Sequence, residues 1–193
     1  MEKATFTRID QMTREDWELI ETQEREQSKS LPDRLLAELH RLDEGEQPYA
    51  VSRLKHCLQT ATRALRDGAS EEMIVAALIH DIGDPMALYN HAEFAAALIK
   101  PYVSEKVHWI ICNHDVFQGH YYWDVIGLDK NAREKYRDHP WFEECEAFCF
   151  KWDCPSFDPE YDTLPLSHFE PMLRRIFSAP PYSHRKQEYT VAL

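Results

Sequence analysis

The chain has 193 residues, 44% apolar and 29% charged, which is enough for one domain with a proper hydrophobic core. Its formal charge of −12 disfavours a phosphate backbone as partner, so no nucleic-acid binding is expected; a local basic pocket for a small anion stays compatible with it. No apolar run reaches the roughly 18 residues of a membrane span, the stretch from Met1 to Trp17 is too polar for a signal peptide, and five cysteines without a CxxC pair suggest reduced thiols, so a cytoplasmic protein is expected. With only 5 glycines, a helical fold is favoured over sheet-based ones.

Thr13-Arg14-Glu15-Asp16 reads as a capped helix start leading to Glu26, poor in apolar residues and therefore peripheral. Leu31-Pro32 restarts the chain, and Leu35, Leu36, Leu39 and Leu42 form an apolar face. Asp43 to Pro48 is a loop. Val51 to Arg66 is a strong helix with Leu54, Leu58, Ala61 and Leu65 at helical spacing, ended by Asp67-Gly68. Ser70-Glu71-Glu72 caps the next helix, which is apolar on nearly all sides through Ile79 to His80, as a central helix would be. Further helices are expected over Asn90 to Lys100, Ser104 to His114, Asn131 to Tyr136, Pro140 to Trp152 and Pro165 to Phe177. The aromatic stretch from Asp115 to Gly127 reads as less regular. Residues 1–45 are read as peripheral helices, 46–178 as the main domain and 179–193 as a tail without a clear period.

The chemistry concentrates on Ala76-Ala77-Leu78-Ile79-His80-Asp81, an apolar helix that ends in two adjacent ionisable residues. Burying such groups is costly unless they are paired or metal-bound. Adjacent helical residues point about 100° apart and so can meet one metal from two sides, or one carboxylate can bridge two metals. Three more histidines, His56, His91 and His114, sit on apolar helices, and Asp153 follows an aromatic run. A single histidine of this kind is more often a hydrogen-bonded core residue than a ligand; the whole set favours metal. Imidazole and carboxylate donors without thiolate suit iron, manganese, zinc or nickel. Six donors exceed what one open catalytic metal needs and suit two metals sharing a carboxylate.

The ordered set His56, His80-Asp81, His91, His114, Asp153 resembles the HD-domain superfamily, over about Tyr49 to Asp153. Within it the pattern is most similar to the mixed-valent diiron oxygenases, which include myo-inositol oxygenase and the oxygenases acting on 1-hydroxy-2-aminoethylphosphonates. That resemblance implies an all-α helical bundle around a buried dinuclear site. It implies that His56, His80 and Asp153 hold one iron, His91 and His114 the other, and that Asp81 bridges them. It further implies an Fe(II)/Fe(III) pair that uses O2 to oxidise a small hydroxylated substrate and cleave its C–P or C–C bond.

Around these ligands, the resemblance to the phosphonate-cleaving oxygenases, in which a Tyr and a Glu of this stretch cover or ligate the resting iron, implies that role for Tyr49, close to Glu46. Asp84 is expected to meet substrate and, as a carboxylate, to favour a cationic group. Gln118 and His120 are expected to reach substrate oxygens, and Lys151 to pair with an anion. No Arg or Lys cluster stands near His114, Phe150 occupies a place where a basic residue is expected, and no Lys follows His80-Asp81, which counts against inositol itself. Two other functions share the ligand set: an HD-type phosphohydrolase acting on a nucleotide or small phosphate ester with manganese, nickel or zinc, and a non-catalytic metal-binding or regulatory domain.

Overall fold

Capping chemistry sets where the helices begin. In the computed structural model, which describes residues 2–46 and 48–183, every regular element is helical. Helix α1 (Arg14–Ser28) opens with a reciprocal cap: the Thr13 hydroxyl accepts from the Asp16 N–H, and the Asp16 carboxylate accepts from the Thr13 N–H. Helices α3 (Arg53–Arg66), α4 (Glu71–Ile79) and α6 (Glu105–Gln118) each follow a serine, Ser52, Ser70 or Ser104, whose hydroxyl accepts an orphan N–H of the first turn. Each such cap is worth about 1 kcal/mol. The remaining helices are α2 (Leu31–Arg41), α5 (His91–Ile99), α7 (Phe142–Phe148) and α8 (Leu166–Ser178).

Helix α4 is the axis of the fold. Every residue from Met73 to Ile79 is buried, and α3, α6 and α8 pack around it. Helix α5 lies along α6, and α2 closes the far side against α8. Leu78, Ile79, Ile110, Ile111 and Phe117 are fully enclosed, each burying apolar surface worth about 1.5–3 kcal/mol. No helix among the described residues is long and apolar enough to cross a membrane.

The structure departs from the sequence reading in four places. Helix α1 buries no residue and is peripheral, but the leucines of α2, read as part of a peripheral segment, belong to the main core. On α3, Leu58 and Leu65 are only half-buried while His56, Gln59 and Thr60 are buried, because its innermost face carries the site and a loop clamp rather than the leucine stripe. Helix α6 continues past His114 to Gln118 and passes into a 3-10 turn, Gly119–Tyr121, so the first part of the aromatic stretch is regular. The expected helix over Pro140 to Trp152 is α7 followed by a π-helical turn, Cys149–Asp153. Of the tail, residues 184–193 lie outside the described residues.

At Gly119 a side chain has no room: a Cβ would stand 2.2 Å from the Trp123 indole, which packs directly on this backbone. Leu78→Ala should lower the unfolding free energy by about 2–5 kcal/mol in urea titration, because the fully enclosed site cannot collapse around the lost atoms.

Candidate metal centre

Four helices and one loop converge on the carboxylate of Asp81, which follows the C-cap residue of α4. Its two oxygens face different histidines. Oδ2 lies 3.3 Å from Nε2 of His56 and 3.3 Å from Nε2 of His80. Oδ1 lies 3.2 Å from Nε2 of His114 and 3.4 Å from Nε2 of His91. Asp153 joins the first group, its Oδ1 at 3.2 Å from His56 and 3.6 Å from His80. Ligand atoms of His56, His80 and Asp81, and of Asp81, His91 and His114, lie within 4.8 Å of one another, so these groups could hold metal ions. The structure thus brings all six residues expected from sequence into one cluster.

Backbone geometry aims the imidazoles. His80, His91 and His114 direct Nδ1 to the carbonyl three residues earlier in their own chain: Ala77 at 2.8 Å, Leu88 at 3.5 Å and Ile111 at 2.7 Å. His56 directs Nδ1 to the Ser156 carbonyl at 2.9 Å. A carbonyl only accepts, so each Nδ1 carries the proton, and each Nε2 lone pair points inward. This is the arrangement that prepares histidine for metal. Four inward lone pairs and two carboxylates need positive charge between them. The Nε2 atoms of His56 and His80 stand only 3.2 Å apart, and Asp153 Oδ2 is buried with no hydrogen-bond partner. An unsatisfied buried carboxylate oxygen is costly, and a cation would satisfy it. The donor set fits a bound metal ion.

In the metal-free protein, protons supply that charge. Burial alone would lower the His56 pKa, but its hydrogen bonds with Asp153 and Asp81 outweigh burial and push it up to about 10. At His114 the same contest, with Asp81 as partner, ends at about 9. Burial would raise the Asp81 pKa, yet the His80 charge and the bonds from His114 and His56 hold it well below the usual carboxylate range.

The two halves differ in access. His56, His80, His114 and Asp153 are buried, whereas the Asp81 and His91 side chains keep 20% and 21% exposure. A cavity of about 440 Å³ opens over the cluster, lined by His56, Asp81, His91, His114 and Asp153, with His80 behind it. That volume suits a small organic molecule.

The loop after Asp153 forms one wall, and α3 clamps it. Gln59 donates to the Asp158 carbonyl at 2.6 Å, Lys55 to that of Pro159 at 2.7 Å and Arg63 to that of Pro155 at 2.9 Å. This places Phe157 in a stack on the His56 ring, with centroids 4.3 Å apart. Tyr49 lines the cavity, its ring 5.5 Å from that of Phe157. Its phenol pKa is raised by burial and by Asp84, so the hydroxyl stays protonated at neutral pH.

Asp84 and Gln118 also line the cavity, and Gln118 Oε1 is buried there without a partner. His120 and Lys151 are corrections. His120 sits on the turn after α6 and bonds the Lys130 carbonyl, away from the cavity. Lys151 lies on the π turn, exposed and 3.6 Å from Asp67, in a separate shallow cleft. Glu46 is exposed and does not line the cavity, and Phe150 projects 64% exposed beside Tyr121. Sequence reasoning missed Arg53, Asp115, Tyr121, Tyr122, Cys154 and Phe157. Arg53 had a signal, since it stands three residues before His56 on one helix face. Phe157 had none, because its place depends on the loop clamp.

No family model matches the chain, and no curated protein matches it.

Metal uptake at pH 8 should release protons, read as acidification of a weakly buffered solution, because His56 and His114 must lose theirs to bind. The raised histidine pKa values stabilise the metal-free fold fully below the unfolded value of 6.5, and that contribution fades as pH rises through about 9 and 10. The melting temperature of the metal-free protein should therefore fall over this range, while that of the metal-loaded protein stays flatter. Asp81→Ala should remove most bound metal on elemental analysis; full occupancy would reject the shared-carboxylate assignment.

Proposed function

We propose that this chain is an HD-type metalloenzyme in which two iron ions use O2 to oxidise and cleave a small hydroxylated substrate. The observation that carries the reading is the division of the Asp81 carboxylate between two histidine groups, Oδ2 toward His56 and His80 and Oδ1 toward His114 and His91. A carboxylate so placed serves two metals at once. His56, His80 and Asp153 would hold one ion, His91 and His114 the other. When bound, the iron pair would supply Lewis acidity toward the substrate hydroxyl and one-electron activation of O2, with the net electrons for oxygen reduction coming from the substrate that is oxidised.

The residues around the pair have separable tasks. The backbone carbonyls of Ala77, Leu88, Ile111 and Ser156 hold the imidazoles in the ligating tautomer. Phe157 covers His56 and keeps water from that side of the deep half. Tyr49, protonated and at the cavity wall, is within the shell that an incoming substrate must pass; its phenol would ligate only by giving its proton to solvent on metal loading. Gln118 Oε1, buried and unpaired, would accept a hydrogen bond from a substrate N–H or O–H. Of the compound classes that fit, 1-hydroxy-2-aminoethylphosphonates come first for C–P cleavage.

The test is metal content with oxygen uptake. Protein from iron-supplemented cells should carry about two irons per chain, show a coupled mixed-valent EPR signal on partial reduction, and consume O2 with a hydroxylated aminophosphonate. Turnover of phosphate esters without oxygen, with manganese, nickel or zinc, would replace this reading with a phosphohydrolase. Tyr49→Phe should shift a visible absorption band of the iron-loaded protein if the phenolate ligates iron; an unchanged spectrum rejects that role.

A further inference from the structure

Beyond the metal ligands, the cavity walls carry three charged side chains. Arg53 is the one lysine or arginine among the lining residues described, and Asp84 and Asp115 are the carboxylates. Arg53 stands at the start of α3, three residues before His56; Asp84 stands three residues after Asp81, in the turn beyond α4. The Arg53 Nε donates to Asp84 Oδ2 across these two elements, and the side chains keep only 23% and 16% exposure. The guanidinium also lies 5.9 Å from the centroid of the Tyr49 ring. A pair this withdrawn from water is screened far less than a surface one. Asp84 therefore cancels the positive charge of Arg53, and Asp115 adds a further negative charge elsewhere in the cavity lining.

We infer that Asp84 sets the specificity of the cavity by neutralising Arg53, so that the end of the substrate facing this wall is neutral or cationic. An anionic end at Arg53 would have to displace the Asp84 carboxylate, leaving it desolvated and unpaired in a cavity that Asp115 also lines. Among the described lining residues a phosphonate, phosphate or carboxylate then has no uncompensated lysine or arginine, and bound metal would be its cationic partner. For a hydroxylated aminophosphonate this assigns the phosphonate to the metals and the amine to the wall. The inference rests on the proposed function in taking this cavity as the substrate site. Its test reads binding without turnover, so failure of the oxygen chemistry and failure of this inference are distinguishable.

The test is a cycle of four full-length, metal-loaded proteins: wild type, Arg53→Gln, Asp84→Asn and the double variant. Each is brought to equal metal content and titrated calorimetrically with inorganic phosphate. Phosphate bound at the metals contributes equally to all four, so the differences report the wall. Asp84→Asn should tighten phosphate binding about tenfold by freeing a charge-assisted partner. Arg53→Gln should change wild-type binding by less than about twofold, yet abolish the gain in the Asp84→Asn background. No tightening in Asp84→Asn overturns the inference. So does a gain that survives in the double variant, or a tenfold loss in Arg53→Gln alone. If Asp84→Asn melts well below the wild type, Asp84→Ser removes the same charge and carries the same expectations.

Discussion

One carboxylate organises this protein. Asp81 lies where four imidazoles meet, and each of its oxygens serves two of them. The arrangement is unfavourable as neutral organic chemistry. Lone pairs face lone pairs, and two carboxylates sit in a region with little water to screen them. It persists because positive charge is supplied, by protons on His56 and His114 or by metal in their place. The apolar packing of α4, which buries every residue from Met73 to Ile79, provides the rigidity that keeps six donors within one small volume.

The donors come from segments far apart in sequence, and each segment has its own device for delivering a side chain. His80, His91 and His114 are turned by the carbonyl one turn back. His56 is turned by the loop that follows Asp153, which α3 fastens in place through Gln59, Lys55 and Arg63. The π turn at Cys149–Asp153 carries Asp153 to a buried position at the cluster. Such turns are rare inside helices and recur where side chains must be re-aimed. The result is an asymmetric centre, enclosed around His56, His80 and Asp153 and accessible around Asp81 and His91. That asymmetry gives the cavity its floor and one side at which a small molecule can approach.

The charge of the outer wall follows from the same elements. Arg53 and Asp84 are each one helical turn from a metal-facing residue, so the ion pair between them joins the N-terminal end of α3 to the turn after α4. The contact that shapes the cavity also braces two of the segments that hold the centre.

The helical class, the apolar face of α2 and the six clustered ionisable residues were legible in the sequence, because each rests on local rules. Serine and threonine caps, apolar spacing and a His-Asp pair at the end of an all-apolar helix are visible without knowing where anything else lies. What surrounds the cluster was not. Gln118 reaches the cavity because α6 runs one turn beyond His114, whereas His120, two residues later, faces the Lys130 carbonyl on the other side of a 3-10 turn. Lys151 and Asp153 are two residues apart, yet the π turn sends one to solvent and the other to the core. Phe157 meets His56 across about a hundred residues of chain through a clamp made of backbone carbonyls, which no side-chain pattern announces. The sequence by itself determined the helices and the donor types of the cluster, since both follow from neighbours along the chain. Only the tertiary structure decided which walls face it, because those depend on turn geometry and on contacts between residues that the chain holds far apart.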